Sequence, residues 1–405
     1  MMTAGIERRP LIEKEGSTST MGGLKCVEDA AVVVYTMFAG LFNILRKKPV
    51  VIALCFIGAV SIVFLLNQED DRDYYIVLSS DLNLYYLVHV PFAIQAWKNL
   101  GVKTVLMLTL EPNETTNLAV DKVLDFSRTL GAHIVTIRNQ SIAAGQLAQT
   151  SRSFAAGTEF AHTLDPEKTI FLTTDVDFFP STVHHHIPSP SKEIFFYDQG
   201  CCGNIEWKGT TYEMYIMITI AMPLKRWREI IELPANEPVN SSYIEDAISK
   251  TFDYEIDSKD QWWRWFLDQR YFGYKMYSWK TNNSEEFDRI SEGMPKGRRL
   301  DRKKWPNAQA FRRMDNIWDH YEAAHLTPGI IMDTIWEKNL LFYEKIFPTE
   351  QLQRLTNYRN DVVKHANVTE TLRRHYHPEQ NDKYWKDTFK QDGMLDKKLR
   401  KRLSR

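Results

Sequence analysis

From residue 74 onward, short apolar runs alternate with longer stretches whose apolar positions recur every three or four residues. The run 75–78 predicts a strand, closed by Ser79, Ser80 and Asp81. A helical pattern over 85–100 follows and stops at Gly101. Further strands are expected at 104–108, 133–137 and 169–172, with helices at about 117–130 and 143–156 between them. Short apolar strands separated by amphipathic helices fold as right-handed crossovers onto a buried sheet. The expectation is therefore an α/β fold, with a mainly parallel sheet flanked by helices. Ligands of such sheets lie beyond the carboxyl ends of the strands. Functional interest thus falls on Ser79, Ser80, Asp81 and Asn83 after the first strand, and on Asp175 after the fourth.

Past residue 180 the rhythm changes. Strands are expected at 193–197, 215–222 and 275–279, and helices at 224–233, from about 243, and over a tryptophan-rich 261–272. From 339 the chain is helical and increasingly charged, and it ends in the basic run 397–403.

Upstream, 50–66 is uncharged and free of proline, and at about 1.5 Å per residue it nearly matches a hydrocarbon core of roughly 30 Å. With its flanks it makes 49–67 a transmembrane signal-anchor. Arg46, Lys47 and Lys48 precede it; Glu69, Asp70, Asp71 and Asp73 follow it. The positive-inside rule then leaves residues 1–48 cytosolic and the remainder lumenal, a single-pass type II arrangement. A cleaved signal peptide fits poorly, because the run starts far from the N-terminus and lacks a small-residue cleavage site. A second apolar stretch, 30–45, reads as an interfacial or re-entrant helix, with a second span the open alternative. The short pattern from Glu7 to Ile12 resembles an acidic dileucine sorting signal, although a disordered tail explains it as simply. Residues 68–73 make a short stem, 74–347 the main domain (halves 74–180 and 181–347), and 348–405 a helical, basic tail. Five N-glycosylation sequons, at Asn113, Asn139, Asn240, Asn282 and Asn367, all lie on the lumenal side of the run.

The formal net charge of −1 over 405 residues predicts no electrostatic attraction to nucleic acid. Of four cysteines, Cys26 and Cys55 are membrane-proximal; Cys201 and Cys202 are neighbours, so the main domain has no ordinary loop-closing disulfide. A vicinal disulfide, or palmitoylation of Cys55, stays open.

The candidate chemistry centres on the segment Thr173-Thr-Asp175-Val-Asp177-Phe-Phe-Pro180. In an extended chain, carboxylates two residues apart project to one side, and Pro180 ends strand pairing nearby. Two carboxylates just past a buried strand suit a hard cation, Mn²⁺ or Mg²⁺, which takes few protein ligands and completes its shell with substrate phosphates.

On Asp175-Val-Asp177, about a hundred residues into the domain, the chain resembles the metal-dependent, Rossmann-like glycosyltransferases of the GT-A fold, over roughly 74–347. The resemblance implies a Golgi membrane enzyme with its catalytic domain in the lumen. It implies a UDP- or GDP-linked sugar as donor, bound by the first-strand loop and bridged to the acidic pair through the metal. The second half then holds the glycan or glycoconjugate acceptor. Such enzymes often supply a third metal ligand from a C-terminal histidine. His325, followed by Pro328-Gly329, matches better than His320. The run His184-His185-His186 reads as a loop.

Two pairs are candidates for acceptor activation: Asp268 with the neutral Gln269, and the acidic Glu245 with Asp246. The second pair also reads as a helix-start dipole partner. Asp268, inside an apolar helix, is harder to explain structurally, since a buried carboxylate is costly. The basic stretch from Arg298 to Pro306 is either a solvated loop or a clamp for phosphate or an acidic glycan. The segment 197–203 is a tight loop whose glycines either admit a ligand or simply make the turn. A nucleotidyl- or phosphotransferase using the same carboxylates, or an inactive anchored glycan-binding protein, are the competing functions.

Overall fold

Tyr75, Ile76, Val77 and Leu78 are all buried, which is what a strand covered on both faces requires of its sequence. They lie in β1 (Asp73–Ser80) of a computed structural model that describes residues 71–375, apart from 295, 296, 303, 304 and 307. The expected anchor at 49–67 and the stretch 30–45 lie outside the described residues. Among the described residues no helix is long and apolar enough to cross a membrane.

β2 (Lys103–Leu110), β3 (His133–Arg138) and β4 (Thr169–Thr173) join β1 in parallel register, β4 and β2 on its two sides and β3 beyond β2. The helical pattern expected over 85–100 is two helices, α1 (Leu84–Leu87) and α2 (Val90–Asn99). They divide at His89 because Pro91 has no N–H to continue a helix but suits the first turn of a new one. α3 (Leu118–Thr129) begins where Asn117 Oδ1 accepts the Val120 N–H at 3.0 Å. α4 (Ala144–Ser151) does not run on to 156; it tightens into a 3₁₀ segment, Arg152–Gly157.

The second half extends the sheet and adds a smaller one. β5 (Phe178–Pro180) and β6 (Ile194–Phe196) precede a hairpin of β7 (Asn204–Trp207) and β8 (Thr210–Glu213). β9 (Ile220–Pro223) is shorter than the strand expected over 215–222, and it is antiparallel to both β4 and β6. α5 (Leu224–Ile231), α6 (Ser241–Thr251) and α7 (Leu267–Asn282) follow. The expected helix over 261–272 divides at Phe266, and residues 275–279 are helix within α7 rather than a strand. The pattern of 275–279 fits either period; burial of Phe272, Met276 and Trp279, spaced three and four apart, settles it as helix. With β10 (Ser291–Gly293) the large sheet has the order β10-β6-β9-β4-β1-β2-β3, while β11 (Arg299–Asp301) and β12 (Ala323–His325) form β11-β12-β5.

Alternate residues of β1 enter opposite layers: Ile76 and Leu78 pack with Phe92 and Trp97, Tyr75 and Val77 with Phe154 and Trp227. α8 (Asp333–Ile346) and α9 (Thr349–His365) close the first layer. Although α9 lies past residue 347, Leu355, Tyr358 and Val362 are buried in that layer, and Tyr358 stacks on Phe126 at 4.6 Å. Sheet and helices together give the mixed α/β architecture with a mainly parallel centre.

Candidate metal and donor site

β4 delivers the acidic segment to the carboxyl end of the sheet. The Thr174 N–H donates to Val77 O at 3.2 Å, tying the end of β4 to β1, and the Phe178 N–H closes a turn on Asp175 O at 3.2 Å. The segment is thus a turn rather than the extended chain expected from its spacing; Val176 is buried in the first layer, and the two carboxylates converge on His325. The small sheet then brings in the remaining groups. Phe178 is opposite His325 across β5 and β12, Asp301 is opposite His325 across β11 and β12, and the Leu326 N–H donates to Asp177 O at 2.8 Å. Asp177, His325 and Arg302 therefore meet at one end of three short strands.

One oxygen from each of Asp175 and Asp177 and one nitrogen of His325 lie within 4.8 Å of one another, the only such group among the described residues. His325 Nε2 is 3.8 Å from Asp175 Oδ2 and 3.4 Å from Asp177 Oδ1. Two carboxylates and an imidazole suit Mn²⁺ better than Mg²⁺, which prefers an all-oxygen shell.

Two arginines, the half-buried Arg302 and the buried Arg152, organise the cluster. Arg302 Nη2 donates to Asp177 Oδ2 at 3.0 Å and also to His325 Nε2. Burial by itself raises the Asp177 carboxyl, but Arg302 and then His325 outweigh it and hold that carboxyl far below the usual range. Arg152, only 4% exposed, donates Nη1 to Asp175 Oδ1 at 2.7 Å and Nη2 to Asp268 Oδ2 at 2.8 Å. Further bonds to Thr174 O (3.0 Å) and Met217 O (3.2 Å) fix the guanidinium plane. Arg152 thus leaves Asp175 Oδ2 turned toward His325 and joins Asp268 on α7 to the acidic segment. Burial pushes the Asp268 carboxyl up, and Arg152 pulls it back only in part.

The other expected site residues divide clearly. Ser79 and Ser80 sit at the end of β1, beside the start of the acidic segment. Asp81 Oδ1 accepts the Asn83 N–H at 3.1 Å, and Asn83 Oδ1 caps α1 through the Tyr85 N–H at 3.0 Å, so Asn83 has a structural task. Gln269 Oε1 is buried without a hydrogen-bond partner, next to Asp268. Glu245 and Asp246 do not join the cluster. Glu245, 4% exposed, instead holds the loop after β3, accepting N–H groups from Gln140, Ser141 and Ile142 at 2.5, 2.7 and 3.2 Å. Asp246 pairs with Lys250 at 2.5 Å along α6.

His320 is exposed beyond a short turn. Residues 184–186 lie in a loop with one 3₁₀ turn and form no common site: His184 and His185 are exposed, while His186 is fully buried among Trp97, Phe178 and Tyr197. Within 197–203, Cys201 and Cys202 form a vicinal disulfide. Gly200 and Gly203 have φ of 79° and 72° with open space around them, so they serve the turn. Sequence reasoning missed Arg152. Its one signal is a lone charge in an otherwise uncharged stretch, Ala148 to Gly157.

No protein-family model and no curated protein matches the chain. Among solved structures, the galactosyltransferase LgtC, crystallised with donor and acceptor sugar analogs, aligns at 11% identity over 69% of this chain and 99% of its own, with a TM-score of 0.36. The glycosyltransferase GlyE of Streptococcus pneumoniae aligns at 12% identity over 72% of this chain and 64% of its own, with a TM-score of 0.34.

Proposed function

We propose that the chain is a metal-dependent glycosyltransferase that moves a sugar from a nucleotide-diphosphate donor to a glycan acceptor. The observation that carries this reading is the convergence of Asp175, Asp177 and His325 at the carboxyl end of β4, backed by Arg152. Asp175 and Asp177 supply charge and His325 a softer nitrogen, the donor set of a manganese site that leaves positions open for two phosphoryl oxygens. A cation bound there stabilises the negative charge that grows on the departing diphosphate. Arg152 keeps Asp175 aimed at that position and holds Asp268 beside it. Asp268 is joined to Asp175 through Arg152, and its raised pKa suits a group that exchanges a proton.

The remaining assignments belong to the same proposal. Residues 49–67 anchor the chain as a type II Golgi membrane protein, with the domain in the lumen. Exposure of Asn113, Asn240, Asn282 and Asn367 supports that topology.

The test is transfer by the purified full-length chain from a panel of UDP- and GDP-sugars with manganese. Chelation is expected to abolish transfer and added manganese to restore it. Asp177→Ala is expected to remove it with folding retained, as followed by circular dichroism. Full transfer after chelation would refute the metal role. Nucleotide or phosphate transfer without glycosidic product would favour a phosphotransferase, and glycan binding with no turnover an inactive lectin.

A further inference from the structure

Arg302 is placed where a bound cation has to go. Its Nη2 contacts Asp177 Oδ2 at 3.0 Å and His325 Nε2 as well, so one guanidinium nitrogen engages two of the three ligand-bearing side chains. Nitrogen donors of a guanidinium and a metal ion ask the same thing of a carboxylate and an unprotonated imidazole: a lone pair. At His325 Nε2 both cannot hold the same lone pair at once, whereas on Asp177 the guanidinium takes Oδ2 and leaves Oδ1, the oxygen 3.4 Å from His325 Nε2.

The position is built into the fold. Arg302 directly follows β11, whose Asp301 is opposite His325, and the Arg302 carbonyl accepts from Lys338 Nζ of α8 at 3.2 Å. The backbone is held while the side chain, 25% exposed, has solvent to turn into; the Asp177 side chain, at 4%, has none. Of the pair, Arg302 is therefore the side chain with room to turn.

Resting on the proposed metal-dependent transfer, we propose that Arg302 is an internal cation that competes with the metal for His325 while it pairs with the outer oxygen of Asp177, and that it turns onto the donor diphosphate when metal and nucleotide bind together. The pairing keeps the half-buried His325 and the buried Asp177 oriented and the Asp177 charge compensated, a task that otherwise falls to the metal alone. Released, the guanidinium offers bidentate donors to phosphoryl oxygens from a distance set by the ligands it has just left. Metal and nucleotide then bind with positive coupling, because each makes the displaced arginine cheaper for the other. Arg302 is a positioning residue for the metal and a direct contact for the diphosphate.

The experiment measures manganese binding by calorimetry to the full-length chain and to Arg302→Gln, first alone and then with UDP or GDP. Without nucleotide, Arg302→Gln is expected to bind manganese at least about tenfold more tightly, as follows from loss of one charge-assisted competitor. With manganese saturating, it is expected to bind the nucleoside diphosphate about tenfold more weakly. Because Asp177 loses its partner, the variant is also melted with and without manganese; a larger manganese-induced rise in Tm than in the wild type is expected. Arg302→Lys, which keeps the charge and loses the fork, is expected to fall between the two. Equal manganese affinity in wild type and Arg302→Gln overturns the competition while leaving the metal site standing. Manganese binding to neither protein, or equally to Asp177→Ala, sinks the transferase reading and this inference with it.

Discussion

Replacing Asp268 by asparagine separates a carboxylate kept for chemistry from one kept for stability. The substitution preserves shape and removes one charge. Arg152 loses its Nη2 contact at 2.8 Å but retains Asp175 at 2.7 Å and two backbone carbonyls, so no buried guanidinium is stranded. The lost charge-assisted bond is worth about 1.5–3 kcal/mol. Against it stands the burial of a carboxylate that is only 4% exposed, a cost of several kcal/mol. Since the Asp268 carboxyl sits above its ordinary pKa, burial wins that balance. A raised folded pKa favours the folded state at low pH and counts against it once pH passes the folded value, so at pH 7 the ionised group does not stabilise the fold. Asp268→Asn is therefore expected to change unfolding free energy by no more than about 1 kcal/mol, a small effect for a buried charge. Transfer is expected to drop about 10²–10³-fold, the scale for losing one electrostatic group at a reacting centre. Urea unfolding at pH 7, with the m-value unchanged, reads the first quantity; product formation at saturating manganese reads the second. A stability loss of about 3–5 kcal/mol, typical of a broken buried pair, would show that Asp268 is scaffolding. Unimpaired transfer would refute its part in the reaction directly.

Two further predictions concern the surroundings. Burial lowers the His186 imidazole to about 3, so the unfolded chain takes up its proton from about pH 6.5 downward while the fold refuses it, and stability falls with pH. Between pH 7 and pH 5 this one group removes about 2 kcal/mol. His186→Phe, set among Trp97, Phe178 and Tyr197, is expected to lose correspondingly less over that interval, and an unchanged pH slope in urea unfolding would count against the assignment. For the lumenal topology, glycopeptide mapping of the chain from secretory-pathway cells is expected to find glycans among Asn113, Asn240, Asn282 and Asn367 and none at Asn139. The Asn139 Nδ2 donates to Glu111 Oε2 at 2.7 Å and to Ile142 O at 2.8 Å and is buried, so a modified Asn139 in folded protein would overturn that placement.

What was legible in the sequence follows from how far each signal reaches along the chain. Three of the first four strands, β1, β2 and β4, announce themselves because both faces are covered, so Ile76, Leu106 and Leu172 are apolar whatever the neighbouring elements do. Residues 275–279 carry no such mark: five residues fit two periods, and only the packing of Met276 and Trp279 against distant elements decides between them. The acidic segment behaves like the strands. Asp175 and Asp177 are set by their own two-residue spacing, whereas His325, almost 150 residues later, was chosen by resemblance and is delivered by the register of β12 against β5. Arg152 and Arg302 lie between these cases. Neither has a motif, since a lone arginine in an otherwise uncharged stretch and one cation in a basic stretch look ordinary until the chain is closed. Yet they fix where the recognisable groups point: Arg152 turns one Asp175 oxygen away and leaves the other facing His325, and Arg302 holds Asp177. Residues that bear the chemistry can be read locally because their identity is constrained. The groups that aim them are constrained only in position, and position belongs to the fold.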